Sequence, residues 1–197
     1  SNEYIESVWW SLKRYFDAGL IYNGYKMQPY CPRCETPLSS HEVSLGYRDV
    51  TDTSVYVTFK VKGEEGTSFL VWTTTPWTLI SNVALAVHPQ IEYVKVEQGG
   101  RLLILAEARL QVLEGEYAIV GRMKGSSLAG KEYERPFNYH DVSQRAFRVV
   151  EGEFVTTKDG SGIVHIAPAY GEDDYEISKK HSLPTIHPVN KSGAFGP

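Results

Sequence analysis

The sequence has few of the features that mark a secreted or membrane-bound protein. Only two of its 197 residues are cysteines, and both belong to one Cys-x-x-Cys pair, so the chain is not a secreted disulfide scaffold. No apolar run approaches the roughly 18 residues that a membrane-spanning helix needs, and no signal-peptide pattern opens the chain. We therefore expect a cytoplasmic protein that makes no contact with a membrane.

The sequence also lacks an excess of positive charge. Its formal net charge is −4 and its pI is near 5.9, which is not the electrostatic footprint of a nucleic-acid-binding chain. An RNA substrate would have to be held by local contacts or by a larger protein. The chain starts without methionine and ends at Phe195-Gly196-Pro197 without a terminating element, so we expect an excised piece of a longer protein.

Hydrophobic periodicity predicts a mostly β chain with a few helices. Apolar residues at spacings of three and four predict a helix over residues 4–18, and an acidic first turn opens another over 172–181. Between them, short apolar or alternating segments predict strands at 55–61, 68–72, 83–87, 93–97, 102–105, 117–120, 147–151 and 162–166. Because no βαβ rhythm is present, this pattern predicts an α+β, predominantly β fold: a closed or nearly closed barrel with peripheral helices.

Three consecutive threonines, Thr73, Thr74 and Thr75, stand where a predicted strand meets Pro76. A residue before proline is pushed toward extended geometry, so we expect the strand to end near Thr75 and a turn to present several hydroxyls. Each hydroxyl offers one donor and two acceptor lone pairs, which suits the binding of a small polar substrate. The alternative is an ordinary strand end, because threonine is common in strands.

Cys31 and Cys34 have the spacing of half a structural zinc site. Such a site takes four ligands, and the one other candidate nearby, His41, would still leave the set short. The pair is therefore either half of a metal site or two inert thiols in a turn. A free-standing zinc-knuckle interaction protein would be a third reading of the chain, and it requires stoichiometric zinc.

Two long motifs carry a family resemblance: Trp72-Thr73-Thr74-Thr75-Pro76-Trp77-Thr78-Leu79, followed by Asn82-Val83-Ala84, and the run from Gly160 to Asp174 that contains Val164-His165-Ile166-Ala167-Pro168. Together they resemble the editing domain of isoleucyl-tRNA synthetase, the connective-peptide insertion of class I synthetases. In the valyl and leucyl enzymes the first motif resembles Thr-Thr-Arg-Pro followed by an acidic residue, whereas Thr75 and Trp77 stand at those two positions here. The likeness covers the chain from about Tyr4 to its end.

The resemblance implies a barrel-like editing domain of the valyl, leucyl and isoleucyl type. We divide the chain into an N-terminal helix and Cys-x-x-Cys connective segment, residues 1–45, and the barrel-like editing domain, residues 46–197. Some members of the family complete the zinc site with a second cysteine pair far downstream. We therefore expect no cofactor in the editing domain, and zinc at Cys31 and Cys34 only in the full-length parent.

The resemblance also assigns roles to residues. Asp174 resembles the anchor of the substrate's α-ammonium, which would make a charge-assisted hydrogen bond, and His165 resembles the residue that shapes the pocket wall. Thr73, Thr74 and Thr75 resemble the threonines that bind substrate and place water. Without the family, Asp174 is an acidic residue favoured by the helix dipole, and His165 is a satisfied core histidine. Two further substrate-binding positions follow from the same motifs, Trp72 and Asn82.

The implied function is hydrolytic proofreading. A synthetic site that binds isoleucine cannot exclude valine by more than about 1–3 kcal/mol, a limit for which isoleucyl-tRNA synthetase is itself the standard example. We expect water to attack the ester of valyl-tRNA(Ile), with valyl-adenylate as a further substrate, and no covalent intermediate. Expected partners are tRNA(Ile) carrying valine and the rest of the synthetase, in a monomer. The alternative is a non-catalytic tRNA-docking module of a class I synthetase.

Overall fold

The computed structural model describes residues 1–142 and 145–196 of the chain. Three α-helices are present in these residues: α1 Asn2–Asp17, α2 Ser40–Leu45 and α3 Glu172–His181. The strands are β1 Tyr30–Cys31, β2 Thr36–Pro37, β3 Val55–Lys60, β4 Thr67–Thr73, β5 Ala84–Val87, β6 Glu92–Gln98, β7 Arg101–Ala106, β8 Ala118–Lys124, β9 Arg148–Glu151 and β10 Ile163–Ile166. Short 3₁₀ helices span Pro76–Ser81, Glu107–Val112 and Gly125–Leu128. The predicted helices and strands are present, with small shifts at their ends.

A five-stranded sheet in the order β3-β4-β7-β6-β8 forms the larger part of the fold. Its pairs are antiparallel except for β4 and β7, which run parallel. Gly99 and Gly100 join β6 to β7 with φ of +57° and +75°, the left-handed conformation that a tight two-residue hairpin requires. This sheet carries the threonine cluster at the end of β4.

A three-stranded sheet in the order β10-β5-β9 faces it. The segment at residues 130–134 joins the open edges of the two sheets, because Tyr133 bridges to Val61 after β3 while Glu132 bridges to Arg148 on β9. On the other side β10 packs against β4. The arrangement is barrel-like, although no strand pairing within the described residues closes the two sheets into one ring.

The main core fills the space between the sheets, and its faces follow from the strand pleat. Side chains two residues apart share a face, so Phe69 and Val71 point into this core from β4 while Ile163 points into it from β10. Continuing each strand by two residues brings Thr73 and His165 onto the same inner face. Two polar side chains therefore stand at the end of an apolar layer, where the sequence motifs predict a site.

The N-terminal part is much less buried. Helix α1 contains no buried residue, and the most N-terminal buried residue of the chain is Phe59. The helix ends as predicted, with Gly19 in the left-handed region at φ +71°, but its apolar side chains remain exposed, among them Trp9, Trp10 and Phe16. The division at residue 45 stays a prediction.

None of the described helices has the length and apolar character needed to cross a membrane.

Candidate active site

The threonine cluster is held by hydrogen bonds at the end of β4. Thr73 is the last residue of the strand and is buried, whereas Thr74 and Thr75 are exposed. The N–H of Thr75 donates to Oγ1 of Thr73 at 3.1 Å, and the Oγ1 atoms of the two residues lie 3.4 Å apart. Pro76 then opens a 3₁₀ helix, where its fixed φ is well suited to the first turn. Two hydroxyls are thereby fixed side by side.

His165 joins this cluster through Thr78, a buried residue of the 3₁₀ helix. Oγ1 of Thr78 lies 3.4 Å from Oγ1 of Thr75 and 3.0 Å from Nε2 of His165. His165 is only 6% exposed, and burial lowers the pKa of its imidazole to about 4. The ring is therefore neutral at pH 7 and too weak a base to serve well as a general base there. Its Nδ1 has no hydrogen-bond partner among the described residues.

Asp174 turns its carboxylate back from the first turn of α3 toward the end of β10. Its Oδ2 accepts a hydrogen bond from the N–H of Ala167 at 2.9 Å. Gly171 permits this approach, because a Cβ at that position would lie 3.0 Å from Cγ of Asp174. Burial raises the pKa of Asp174, the Ala167 hydrogen bond opposes this, and the charge of Asp173 raises the pKa further.

The Asp174 carboxylate has no cationic partner in the described part of the chain. None of the ion pairs found there, with nitrogen and oxygen within 4.0 Å, includes Asp174. A half-buried carboxylate whose pKa is raised by burial gains most when an ammonium or guanidinium group comes to it. The geometry is thus that of an acceptor for a cationic group of a ligand.

The structure brings most of the predicted catalytic residues together. Thr73, Thr75 and His165 form one hydrogen-bonded chain that passes through Thr78. Asp174 is outside this chain of hydrogen bonds, and its carboxylate binds the backbone N–H of Ala167, two residues after His165. Thr74 lies in the same turn with an exposed side chain and makes no side-chain hydrogen bond in the described structure.

A groove in the described part of the protein lies away from these residues. It measures about 900 Å³ and is lined mainly by β3, β4 and the turn between them, including Lys60, Lys62, Glu64 and Arg101. Its Glu64 already binds Lys95 and Lys131, and none of its lining residues has a buried polar side-chain atom without a partner. We therefore assign the candidate site by its chemistry rather than by cavity size.

Trp72 faces away from Thr73, as the strand pleat requires. It packs against Gly160, whose φ is +65° and whose position could not accept a Cβ, since that atom would lie 2.8 Å from Cε3 of Trp72. Arg109 holds the same loop by donating to the carbonyls of Gly160 at 2.8 Å and Lys158 at 2.9 Å. Trp72 thus supports the loop that leads into β10, and its predicted contact with substrate stays a prediction.

Asn82 lies in the interior, at 2% exposure. Its Oδ1 accepts a hydrogen bond from the hydroxyl of Tyr133 at 2.6 Å, and its Nδ2 donates to the carbonyl of Ala84 at 2.9 Å. Both ends of the amide are therefore occupied by the protein itself. This arrangement accounts for Asn82 as a link between β5 and the bridging segment, and its role in substrate binding stays a prediction.

Two residues of this region were not singled out by the sequence. The sequence shows Thr78 only as part of the repeated Trp-Thr pair. Its hydrogen bond to His165 could not be predicted, because the two residues are 87 positions apart. Arg109 lies in the short 3₁₀ helix Glu107–Val112, and its loop partners lie 48 to 51 residues away along the chain. No local pattern reports contacts of that separation.

The cysteine pair does not form a complete metal site within the described residues. Cys31 and Cys34 are free thiols in the β1–β2 turn, and hydrogen bonds from Cys34 lower the pKa of Cys31. No group of three or more histidine, cysteine, aspartate or glutamate side chains could hold a metal in this part of the chain. The donor set is too small for structural zinc, so zinc bound with further ligands from a longer parent stays a prediction.

A family profile for tRNA synthetases class I (I, L, M and V) matches residues 1–175. The chain therefore belongs to the class I tRNA synthetases.

Within that family the chain resembles the isoleucine enzymes, as predicted. It is 58% identical over 194 residues to isoleucine–tRNA ligase of Clostridium acetobutylicum, an alignment that covers 98% of this chain and 19% of that protein. The chain thus spans 19% of the length of this relative.

Solved editing domains share the fold. The structure named GlLeuRS-CP1 superposes with a TM-score of 0.56 at 16% identity, over 65% of this chain and 60% of that one. The P. falciparum cytosolic leucyl-tRNA synthetase editing domain superposes with a TM-score of 0.54 at 14% identity, over 66% of this chain and 67% of that one. The predicted α+β fold, predominantly β and of the connective-peptide editing type, is confirmed.

Proposed function

We propose that this chain hydrolyses the ester bond of valyl-tRNA(Ile), and the mixed anhydride bond of the smaller substrate valyl-adenylate, as the editing domain of an isoleucine–tRNA ligase. The observation that carries the proposal is the half-buried Asp174 carboxylate, which lacks a cationic partner within the described residues and binds the backbone N–H of Ala167, two residues after the His165 that ends the Thr73–Thr75–Thr78–His165 chain of hydrogen bonds. An aminoacyl ester carries an α-ammonium close to its carbonyl carbon. Binding of that ammonium by Asp174 would place the carbonyl near the threonine hydroxyls.

The chemistry then needs a positioned water and stabilisation of the oxyanion. Water attacks the carbonyl carbon, the bond to the ribose oxygen breaks, and that oxygen takes up the proton, so valine and a free tRNA end are released. The hydroxyl oxygen of Thr73 accepts a hydrogen bond from the backbone N–H of Thr75 and lies 3.4 Å from the hydroxyl oxygen of Thr75. Each hydroxyl is able to orient water or donate to the oxyanion. Positioning supplies the rate enhancement, since the neutral His165 is a poor general base.

Selectivity for valine over isoleucine would come from His165, which would form the wall of the substrate pocket. His165 is buried and immobilised by Thr78, and a rigid wall discriminates one methylene better than a mobile one. By this proposal valine is accepted and isoleucine, which extends one methylene further, is excluded. Asp174, the threonines and His165 would thus supply anchor, water placement and size limit.

The proposal includes partners and location. tRNA(Ile) would supply the ester, and the remainder of the longer synthetase would supply most of the tRNA contacts, because the chain is acidic overall. We place the protein in the cytoplasm, as a monomer.

The test is the release of valine from valyl-tRNA(Ile), with isoleucyl-tRNA(Ile) as the paired control. We expect selective release of valine by the chain and loss of release in Asp174→Asn. Equal release from both esters would contradict the size limit. Stoichiometric tRNA binding without any release, in the chain and equally in the full-length ligase, would instead support a docking module.

A further inference from the structure

The Thr78 hydroxyl has three neighbours that can accept its hydrogen: the carbonyl oxygen of Thr75, the hydroxyl oxygen of Thr75 and Nε2 of His165. Oγ1 of Thr78 lies 2.8 Å from the carbonyl oxygen of Thr75, and the N–H of Thr78 reaches the same oxygen at 3.0 Å. A carbonyl oxygen only accepts hydrogen bonds. Two oxygens this close without a hydrogen between them would oppose their lone pairs, so the hydroxyl hydrogen points at Thr75.

Because the Thr78 hydroxyl donates its hydrogen to Thr75, the contact between Thr78 and His165 shows which ring nitrogen of His165 carries a hydrogen. Oγ1 of Thr78 is 3.0 Å from Nε2 of His165, and with its only hydrogen already donated it must accept there. Nε2 is therefore the protonated nitrogen. A neutral imidazole has one N–H, so Nδ1 carries a bare lone pair, in agreement with its lack of any partner among the described residues.

We propose that Thr78 is a positioning residue that holds the imidazole of His165 in the Nε2–H tautomer and in one ring orientation. The tautomer follows from the hydrogen bonds alone and does not depend on the proposed function. Its consequence for selectivity does rest on that function. The burial that lowers the pKa of His165 to about 4 supports the assignment, because it keeps the ring neutral at pH 7.

The consequence concerns how firmly the wall is held. A half-turn of the ring about its Cβ–Cγ bond would exchange nitrogen and carbon positions and take Nε2 away from Thr78. The hydrogen bond to Thr78 favours one of the two orientations, and it does so at the residue that by proposal separates valine from isoleucine. Thr78 would therefore act on selectivity through His165 rather than by touching the substrate.

The direct test is the tautomer itself. The chain is labelled with ¹⁵N-histidine, the signals of His165 are assigned from their loss in His165→Gln, and long-range ¹H–¹⁵N correlations are recorded at pH 7. We expect a pyridine-like Nδ1 and a pyrrole-like Nε2. A pyrrole-like Nδ1, or two protonated nitrogens, would overturn the proposal whether or not the chain hydrolyses any ester.

Two variants of Thr78 separate the effect of its hydroxyl, which positions His165, from the effect of its methyl group. Thr78→Val keeps the shape of the side chain and removes the hydroxyl, while Thr78→Ser keeps the hydroxyl and removes the methyl group. We expect Thr78→Val to give a mixture of tautomers and to raise isoleucine release relative to valine release several-fold, and Thr78→Ser to resemble the wild type in both. The opposite ranking would show that the methyl group acts directly as part of the wall, and would overturn the proposal. If no variant or wild-type chain releases valine, the proposed function fails while the tautomer measurement still decides this one.

Discussion

The buried imidazole of His165 makes a quantitative prediction about stability in acid. Its pKa is about 4 in the folded chain against an ordinary value of 6.5, so the unfolded chain takes up a proton first as the pH falls. The contribution of the neutral imidazole to the free energy of unfolding is fully present above pH 6.5 and is lost as the pH falls toward 4. The direction is that of a group that must remain neutral to stay buried.

The size of the loss follows from the two pKa values. One pKa unit corresponds to about 1.4 kcal/mol, so the full difference below both values is about 3.4 kcal/mol, and about 3 kcal/mol of it is reached between pH 7 and pH 4. This is a large part of the total stability of a small domain, which is about 5–15 kcal/mol. Other groups also titrate in this range, so the contribution of His165 has to be isolated by a variant.

The substitution His165→Gln isolates the contribution of His165 to the pH dependence of stability. The glutamine amide nitrogen can occupy the place of Nε2 and donate to Thr78, but it takes up no proton. Urea unfolding of wild type and variant from pH 7.5 to pH 4 should give curves that differ in pH dependence by about 3 kcal/mol, the wild type losing more. His41→Gln, on the exposed side of α2, is the matched control and should follow the wild type. Parallel curves for wild type and His165→Gln would refute the assignment of a neutral, desolvated imidazole.

Three further predictions concern the neighbouring groups. Asp174→Asn should abolish valine release. Its free energy of unfolding at pH 7 should equal or exceed that of the wild type, because burial raises the pKa of the carboxyl that is replaced. The control Asp173→Asn, at an exposed neighbouring residue, should retain valine release. Tyr133→Phe should lower the free energy of unfolding by about 1–3 kcal/mol in urea, because a buried amide oxygen loses its donor. Arg109→Ala should speed trypsin cleavage after Lys158, whose carbonyl it holds, and an unchanged rate would contradict the clamp.

The fold was largely predictable, because it depends on local periodicity. The alternation Val55, Val57, Phe59 specifies a strand with one buried face, and Gly99-Gly100 specifies the hairpin between β6 and β7. The segment around Tyr133 was not predictable as a connection between sheets. It pairs through isolated bridges to Val61, just after β3, and to Arg148 on β9, and isolated bridges impose no repeating pattern on the sequence.

The candidate site was likewise predictable where a local motif identifies a residue, and not where its role depends on distant contacts. Asp174, His165 and the threonines were identified through motifs, and the structure brings Thr73, Thr75 and His165 into one network. Motif membership could not reveal that Trp72 faces the opposite side of its strand from Thr73. It also could not reveal that the Asn82 amide is used within the core. A motif records which residues occur together, whereas the pleat and burial decide which of them face the same space.

Burial acts on Asp174 and His165 in opposite directions, and this opposition fits the proposed substrate. It raises the pKa of the carboxyl and lowers that of the imidazole, so burial disfavours the charged form of both groups. An α-ammonium reverses the balance for Asp174 alone, because its charge favours the carboxylate and further disfavours an imidazolium nearby. A charged His165 would repel the ammonium that Asp174 attracts. A neutral wall therefore suits a charged anchor, and the burial that lowers the pKa of His165 to about 4 keeps its imidazole neutral at pH 7.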